Sequence, residues 1–350
     1  KSMVSQDNYI FALDIGTRTV VGVIGEYIDE KFFLKDYISI PHPKRAMVDG
    51  QVEDIKQVAK IVAQVKEQLE ANNGIRLTQV AIAAAGRALR TMHTTMEFDI
   101  SEKDYITEDM VKSMEVETIQ KAKTELDESS KSRSSFYCVG HSVVTYKLDD
   151  YKMMSLEGHK GNSAEVDLIA AFLPSAVVEG LYAVMDMNDL EVTSLTLEPI
   201  AAMNVIIPPE VRLINIALVD IGAGTSDIAI SNNGSIVAYA MSTVAGDEIT
   251  EEIIRNYIVD FETAEQMKVS SYKEKIEYKD ILGFEHTVTS EEFFKGIYPA
   301  VGSLAENIAE NILKANGQPP AAVFLVGGGS LIPDLAKYVA ERLDIPENRV

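Results

Sequence analysis

The sequence contains a single cysteine, and this scarcity excludes an internal disulfide bond. One cysteine in 350 residues suits a reducing compartment, and no signal-peptide pattern opens the chain, so we expect a cytoplasmic protein. Cys138 lies in the apolar run 136–139. We predict it to be a small core residue rather than a nucleophile.

Basic stretches, paired histidines and long apolar runs are also missing. The chain carries 54 acidic and 32 basic side chains, and its net charge of −22 argues against nucleic acid and against direct adhesion to anionic lipid. No two histidines have the spacing of metal ligands, and Pro174 interrupts the apolar stretch 168–178. The composition, 46% hydrophobic and 25% charged, is that of a globular chain with room for two domains.

The most informative stretch is 217–230, which reads ALVDIGAGTSDIAI. Two apolar runs flank a turn with almost no side chains, which predicts a β-hairpin. Backbone N–H groups in such a turn can approach an anion such as phosphate, and Asp220 and Asp227 would suit a hard cation such as Mg²⁺. The alternative is a tight hairpin with two solvated aspartates.

A second copy of this pattern occurs at 11–23, FALDIGTRTVVGV. Asp14-Ile15-Gly16 matches Asp220-Ile221-Gly222, and Thr19 falls opposite Thr225. Two similar hairpins far apart in one chain predict two related halves that face each other. Asp14 and Asp220 would then converge on one metal–phosphate site between them.

A third glycine cluster lies at 321–331, AAVFLVGGGSL, and residues 332–334 are predicted to begin a helix. A strand, three glycines and a helix form a place where a nucleotide can lie against backbone. In order and spacing, the three blocks resemble the two phosphate motifs and the adenosine motif of the actin-like ATPases, which include actin, sugar kinases and heat-shock chaperones.

The resemblance implies an α/β actin-like ATPase fold with ATP and Mg²⁺ in a cleft between two halves. It implies that Asp14, Asp220 and Asp227 hold the metal, mainly through water, and that Asp14 and Asp220 take part in catalysis. The implied nucleotide contacts are Gly16, Thr17, Arg18, Thr19, Gly222, Ala223, Gly224, Thr225, Gly246, Glu265, Lys268, Gly327, Gly328, Gly329 and Leu331.

Two further segments fit the same family. Glu198 follows a strand and precedes Pro199 in a predicted first helical turn, where actin-like ATPases carry an acid or amide that positions the attacking water. An ordinary first-turn acid is the alternative. Glu265 and Lys268 are three apart on a predicted helix. The family places such a pair on the ribose and adenine, and a solvated ion pair is the alternative.

The segments LEPIAAM, GDEITEEII and VGGGSLIPDL resemble the bacterial cell-division family FtsA. The predicted division is a first half at 9–76 and 173–205 and an inserted α+β subdomain at 77–172. The second half comprises 206–245 and 289–350, with a small subdomain at 246–288. The resemblance implies slow ATP turnover, actin-like self-assembly, a tubulin-like FtsZ partner and a place at the inner membrane face of the division site.

Membrane attachment would come only from a C-terminal segment outside these residues. The pilus-assembly ATPase PilM, with a similar inserted block, is the alternative within the superfamily, followed by a small-molecule kinase. Ala223, which replaces a common glycine, and the turn Thr17-Arg18-Thr19 both depart from the family pattern.

Overall fold

The two halves predicted from the repeated turns correspond to two separate β-sheets in the computed structural model, which describes residues 9–29, 31–43, 46–85, 88–129 and 135–350. In chain order the strands are β1 Ile10–Ile15, β2 Thr19–Ile28, β3 Lys31–Pro41, β4 Met47–Val48, β5 Gln51–Val52, β6 Gln79–Ala84, β7 Arg90–Asp99, β8 Phe136–Leu148, β9 Tyr151–Met153, β10 Ser163–Pro174, β11 Glu191–Leu197, β12 Ile216–Ile221, β13 Ser226–Asn232, β14 Ser235–Ser242, β15 Lys275–Lys279, β16 Glu285–Thr289 and β17 Ala322–Val326.

The α-helices are α1 Ile55–Asn73, α2 Glu108–Ser129, α3 Ser175–Asp186, α4 Glu198–Ile206, α5 Gly246–Tyr257, α6 Phe261–Val269, α7 Ser290–Asn316 and α8 Leu335–Leu343. No helix among the described residues is long and apolar enough to cross a membrane.

The first half is a five-stranded sheet in the order β11-β6-β1-β2-β3. Strands β1, β2 and β3 form an antiparallel meander, and β6 lies parallel to β1 on its other side. Helix α1 covers this sheet with a buried apolar face. Asp54 starts the helix by accepting from the N–H of Gln57 (2.9 Å), and Gly74 ends it with a φ of 66°.

The second half repeats this plan. Its sheet runs β14-β13-β12-β17, with an antiparallel meander and with β17 parallel to β12. The segment Asn233-Gly234, a residue pair typical of a tight hairpin turn, connects β13 to β14, and Asn233 and Gly234 take positive φ values of 52° and 84°. Helix α7 packs a row of buried apolar side chains into the core of this half. The shared strand order confirms two related halves.

The inserted α+β block begins one strand later than predicted. Strand β6 lies in the first sheet, where it pairs in parallel with both β1 and β11. It therefore does not belong to the inserted block, because its apolar residues are buried in the core of the first half. The inserted sheet runs β7-β10-β8-β9 and packs against α2. The rest of the predicted division into subdomains stays a prediction.

Cys138 is the second correction. It lies on β8 but is exposed rather than in the core. The pairing of β8 with β10 shifts at this point, where Ala171 pairs with Gly140 and Phe172 with Cys138, so simple alternation along the apolar run does not place Cys138 in the core. A short apolar run cannot tell which side of a strand faces the core.

Candidate functional site

The two glycine turns are built alike. The N–H of Gly16 donates to the carbonyl of Thr19 (3.0 Å), and the N–H of Gly222 donates to the carbonyl of Thr225 (2.9 Å). A Cβ added to Gly16 would lie 3.2 Å from the Thr19 oxygen, and one added to Gly222 would lie 3.3 Å from the Thr225 oxygen. Glycine therefore keeps both turns tight.

The two turns meet across the gap between the halves. A Cβ added to Gly224 would lie 2.8 Å from Thr17 Oγ1, so the second turn touches the first. Thr17 Oγ1 also accepts from the N–H of Gly50 (3.2 Å). The carbonyl of Ala223 accepts from the N–H of Asp247 (2.8 Å), which ties the start of α5 to the second turn.

Asp14 and Asp220 lie near the ends of β1 and β12 and both line the gap. Burial raises the pKa of Asp14 to about 6, and repulsion from the charge of Asp220 adds to this rise. Burial likewise raises the pKa of Asp220. The two carboxylates thus lie close enough for the charge of Asp220 to act on Asp14.

Glu198 lies beside this pair. It is the first residue of α4, directly after β11, with Pro199 in the first turn. Burial raises the pKa of Glu198 well above its usual range, and the neighbouring charges of Asp14, Asp227 and Asp220 add to the rise. It is hydrogen-bonded to Asp14, and its Oε1 is buried with no hydrogen-bond partner among the described residues. A buried acceptor of this kind is suited to a water or a ligand.

Asp227 lies behind the cleft rather than in its wall. It is 1% exposed and pairs with Asp220 across the β12–β13 ladder. Its charge nevertheless acts on the site, because it helps to raise the pKa of Glu198. Its predicted role as a metal ligand stays a prediction.

Glu265 and Lys268 form a bridged pair on α6. Lys268 Nζ lies 2.5 Å from Glu265 Oε1 and donates to Thr250 Oγ1 (2.7 Å) and to the carbonyl of Gly246 (3.1 Å). The hydroxyl of Thr250 also donates to Glu265. The network joins α5 to α6 and turns both charged groups towards the cleft. A solvated ion pair would have none of these additional partners.

The third glycine cluster packs directly under the second turn. Gly327 has a φ of 79°, and a Cβ there would lie 2.4 Å from Asp220 Oδ1. A Cβ on Gly329 would lie 2.2 Å from Ile221 Cγ2. Only glycine lets this backbone approach β12 so closely.

These parts enclose a cavity of about 590 Å³. Gly224 and Asp227 do not line it. The predicted residues that do are Asp14, Gly16, Thr17, Arg18, Thr19, Glu198, Asp220, Gly222, Ala223, Thr225, Gly246, Glu265, Lys268, Gly327, Gly328, Gly329 and Leu331.

Arg18 has an unexpected partner. Its guanidinium is hydrogen-bonded to Asp247 at the start of α5, and its Cζ lies 4.0 Å from the centre of the Phe261 ring. Both partners belong to the second half. A phosphate group would therefore have to compete with Asp247 and Phe261 for the guanidinium of Arg18.

Sequence reasoning missed the apolar end of the cavity. Val269, Tyr272, Phe294 and Ile297 line it near Leu331. Tyr272 is 81% exposed and Leu331 is 84% exposed, so both present apolar surface to the opening. These positions belong to no recognisable motif. Tyr272 does lie only three residues after the end of α6, so a search of the residues next to Glu265 and Lys268 could have found it.

A divalent cation fits this donor set only with help from other oxygens. Among the described residues, no three His, Cys, Asp or Glu side chains are arranged to ligate a metal directly. Asp14 and Asp220 nonetheless supply carboxylates whose pKa values are raised. Such a pair suits a cation held through water and phosphate oxygens.

Comparison with known proteins agrees with this geometry. The family described as "Cell division protein FtsA" matches residues 217–350. The Neisseria meningitidis serogroup B protein of that name is 22% identical, and the alignment covers 98% of this chain and 84% of that protein.

Solved structures share the fold. A chain of the "PilM-PilN type IV pilus biogenesis complex" superposes with a TM-score of 0.68 at 18% identity, over 96% of this chain and 86% of that chain. MreB 5 of Spiroplasma citri bound to AMPPNP superposes with a TM-score of 0.51 at 16% identity, over 97% of this chain and 90% of that chain. The chain is therefore similar to FtsA along nearly its whole length, and it has the actin-like fold of these solved structures.

Proposed function

We propose that this chain binds ATP with Mg²⁺ in the cleft between its halves and acts in cell division as an FtsA-like protein. In this role it assembles with copies of itself in an actin-like way and links a tubulin-like FtsZ ring to the membrane. Nucleotide controls assembly, and hydrolysis is slow.

One observation carries the proposal. Two Asp-Ile-Gly turns of the same construction lie against each other across one cleft, with Asp14 and Asp220 close enough for their charges to interact. Two like charges at one site repel each other, so the folded chain tolerates them best with a cation between them. A divalent metal bound to a polyphosphate is the ligand of matching charge and size.

The parts of the cavity suggest how the nucleotide lies. The N–H groups of Gly16 and Gly222 are used inside their turns, so these glycines shape the turns, and other groups of the turns contact phosphate. Glu265 and Lys268 lie at the ribose, and the apolar end at Tyr272 and Phe294 receives the base.

Glu198 is the group that orients the attacking water. Its Oε1 has no partner among the described residues, and its other contact is Asp14. When bound, the metal neutralises the charge that develops on the transferred phosphoryl group. The chain itself contributes the position of the water, so we expect hydrolysis to be slow.

PilM is the alternative within the fold. The structural match to the PilM complex is at 18% identity and concerns the fold alone. The sequence similarity over nearly the whole chain is to FtsA, which favours cell division. MreB 5 bound to AMPPNP is a further protein of this fold that holds a nucleotide.

The proposal is tested by thermal unfolding with millimolar ATP and Mg²⁺, followed by pelleting with ATP in the presence and absence of FtsZ. Ligand that binds only the folded chain raises the melting temperature, and bound FtsZ appears in the pellet. Asp14→Asn is the matched variant, which should lose the shift. No shift for the unaltered chain contradicts nucleotide binding. A shift without FtsZ in the pellet contradicts the cell-division role and leaves the PilM-like alternative.

A further inference from the structure

Arg18 crosses the cleft. It belongs to the glycine turn between β1 and β2 of the first half, yet its guanidinium contacts only side chains of the small subdomain at 246–288 among the partners identified in the described residues. It is hydrogen-bonded to Asp247, lies 3.7 Å from Glu265 Oε1 and stacks over the Phe261 ring at 4.0 Å. Its Nε is buried.

The receiving surface is built from two helices. Asp247 lies in the first turn of α5 and is 6% exposed. Phe261 begins α6, whose start is fixed by Asp260 accepting from the N–H of Thr263 (2.7 Å). A guanidinium held by carboxylates and an aromatic face uses its planar shape, which a lysine could not reproduce.

The turn that carries Arg18 is fixed from behind by His42. The N–H of His42 donates to the carbonyl of Arg18 (2.9 Å), and His42 Nε2 donates to the carbonyl of Gly16 (3.1 Å). The backbone on both sides of Thr17 is thereby held, and the direction in which Arg18 leaves the turn is restricted. The cross-cleft contact is therefore supported from both halves.

We propose that Arg18 and its three partners Asp247, Glu265 and Phe261 form a latch that holds the cleft closed before nucleotide binds. The ion pair is partly shielded from solvent, since the Arg18 side chain is 30% exposed and that of Asp247 is 9% exposed. Shielding strengthens the attraction relative to a surface pair. Arg18 is thus a positioning residue, which sets the distance between the phosphate turn and the helices that carry Glu265 and Lys268.

Only the effect of the latch on nucleotide release rests on the proposed function. Closure itself is a property of the ligand-free chain. With nucleotide present, an intact latch retards its escape, and a broken latch speeds its release by a factor on the order of ten.

Closure is measured in the nucleotide-free chain by electron–electron double resonance between two spin labels. The labels are placed on exposed residues by Lys56→Cys on α1 and Glu277→Cys on β15, in a Cys138→Ser background. Arg18→Ala and Asp247→Asn should each lengthen and broaden the distance distribution. The double variant should match Arg18→Ala, which already lacks the contacts with Asp247, Glu265 and Phe261. Arg18→Lys should give an intermediate distribution.

Arg255→Ala is the matched control. It removes an exposed ion pair with Glu252 within α5 that does not cross the cleft (2.9 Å), so its distribution should equal that of the unaltered chain. An Arg18→Ala distribution that matches Arg255→Ala overturns the latch. If Asp247→Asn unfolds the small subdomain, as judged by circular dichroism, Arg18→Ala alone decides. Absence of binding of a fluorescent ATP analogue would overturn the proposed function and leave the distance test unchanged.

Discussion

At the scale of single residues, we expect the carboxylates of the cleft to have opposite effects on stability with and without ATP and Mg²⁺. The folded chain raises the pKa of Asp14 from 3.8 to about 6, so between these values the folded state holds its proton more tightly than the unfolded state does. Stability therefore falls as the pH rises through this window, and the loss is complete above about pH 6.

Asp14→Asn should consequently raise the melting temperature of the nucleotide-free protein at pH 8, and the gain should shrink towards pH 4. The same variant should lose the stabilisation by ATP and Mg²⁺. Glu117→Gln, an exposed change of the same charge on α2, controls for net charge. A nucleotide-free Asp14→Asn protein that is less stable than the parent at pH 8 would contradict the interpretation that ionised Asp14 destabilises the nucleotide-free fold.

Glu198→Gln separates water positioning from binding. We expect hydrolysis to slow by about 10²-fold or more, with little change in ATP affinity, because the amide keeps the shape of the side chain but presents the water with different hydrogen-bond donors and acceptors. Phosphate release and equilibrium titration with a fluorescent ATP analogue measure the two quantities. An equal loss of affinity would assign Glu198 to the binding of nucleotide.

At the scale of elements, Gly22 reports how closely β2 packs on α1. A Cβ at Gly22 would lie 2.3 Å from Val65 Cγ1 and 3.0 Å from Leu69 Cδ1. Gly22→Ala should therefore destabilise the protein by about 1–3 kcal/mol, as overpacking does. Urea unfolding measures the change.

Gly180→Ala is the opposite test within the same half. Its Cβ would meet Val52 at an ordinary 3.7 Å, and the residue lies inside α3. We expect a gain of about 0.5–1 kcal/mol, because alanine loses less backbone entropy in a helix than glycine. Equal effects of the two substitutions would refute the packing argument.

The inserted block can be removed at a point that the strand pairing defines. Arg90 on β7 pairs with Phe172 on β10, so these two positions are neighbours and a two-residue turn can replace 91–171. The shortened protein should keep its ATP-induced thermal shift and lose assembly in a pelleting assay. An excision that begins at residue 77 also removes β6 and should unfold the first half. Retained assembly after the shorter excision would count against a role for the block in polymerisation.

At the scale of the whole molecule, charge governs the response to membranes. A net charge of −22 repels anionic lipid, so residues 1–350 should not co-sediment with anionic vesicles at physiological salt. Zwitterionic vesicles of the same size are the control. Binding to both kinds of vesicle would contradict the prediction and would direct attention to the exposed apolar side chains of the β2–β3 hairpin, which include Tyr27, Phe33 and Leu34.

The sequence by itself determined the parts whose chemistry is local. A turn without side chains must be glycine-rich wherever it lies, so the Asp-Ile-Gly repeats, the third glycine cluster and the Asn233-Gly234 turn could be read from residue order. The apolar residues that recur on one face of α1 and the glycine at its end, Gly74, are local signals of the same kind.

Tertiary structure alone decided which distant segments meet. Strand β6 joins the first sheet rather than the inserted block because its parallel partners β1 and β11 are remote in sequence, and a short apolar run carries no record of its partner. Cys138 is exposed because only packing selects which side of β8 is buried. The contact of Arg18 with Asp247 joins residues 229 positions apart. An ion pair between halves depends on their relative placement, which no local pattern encodes.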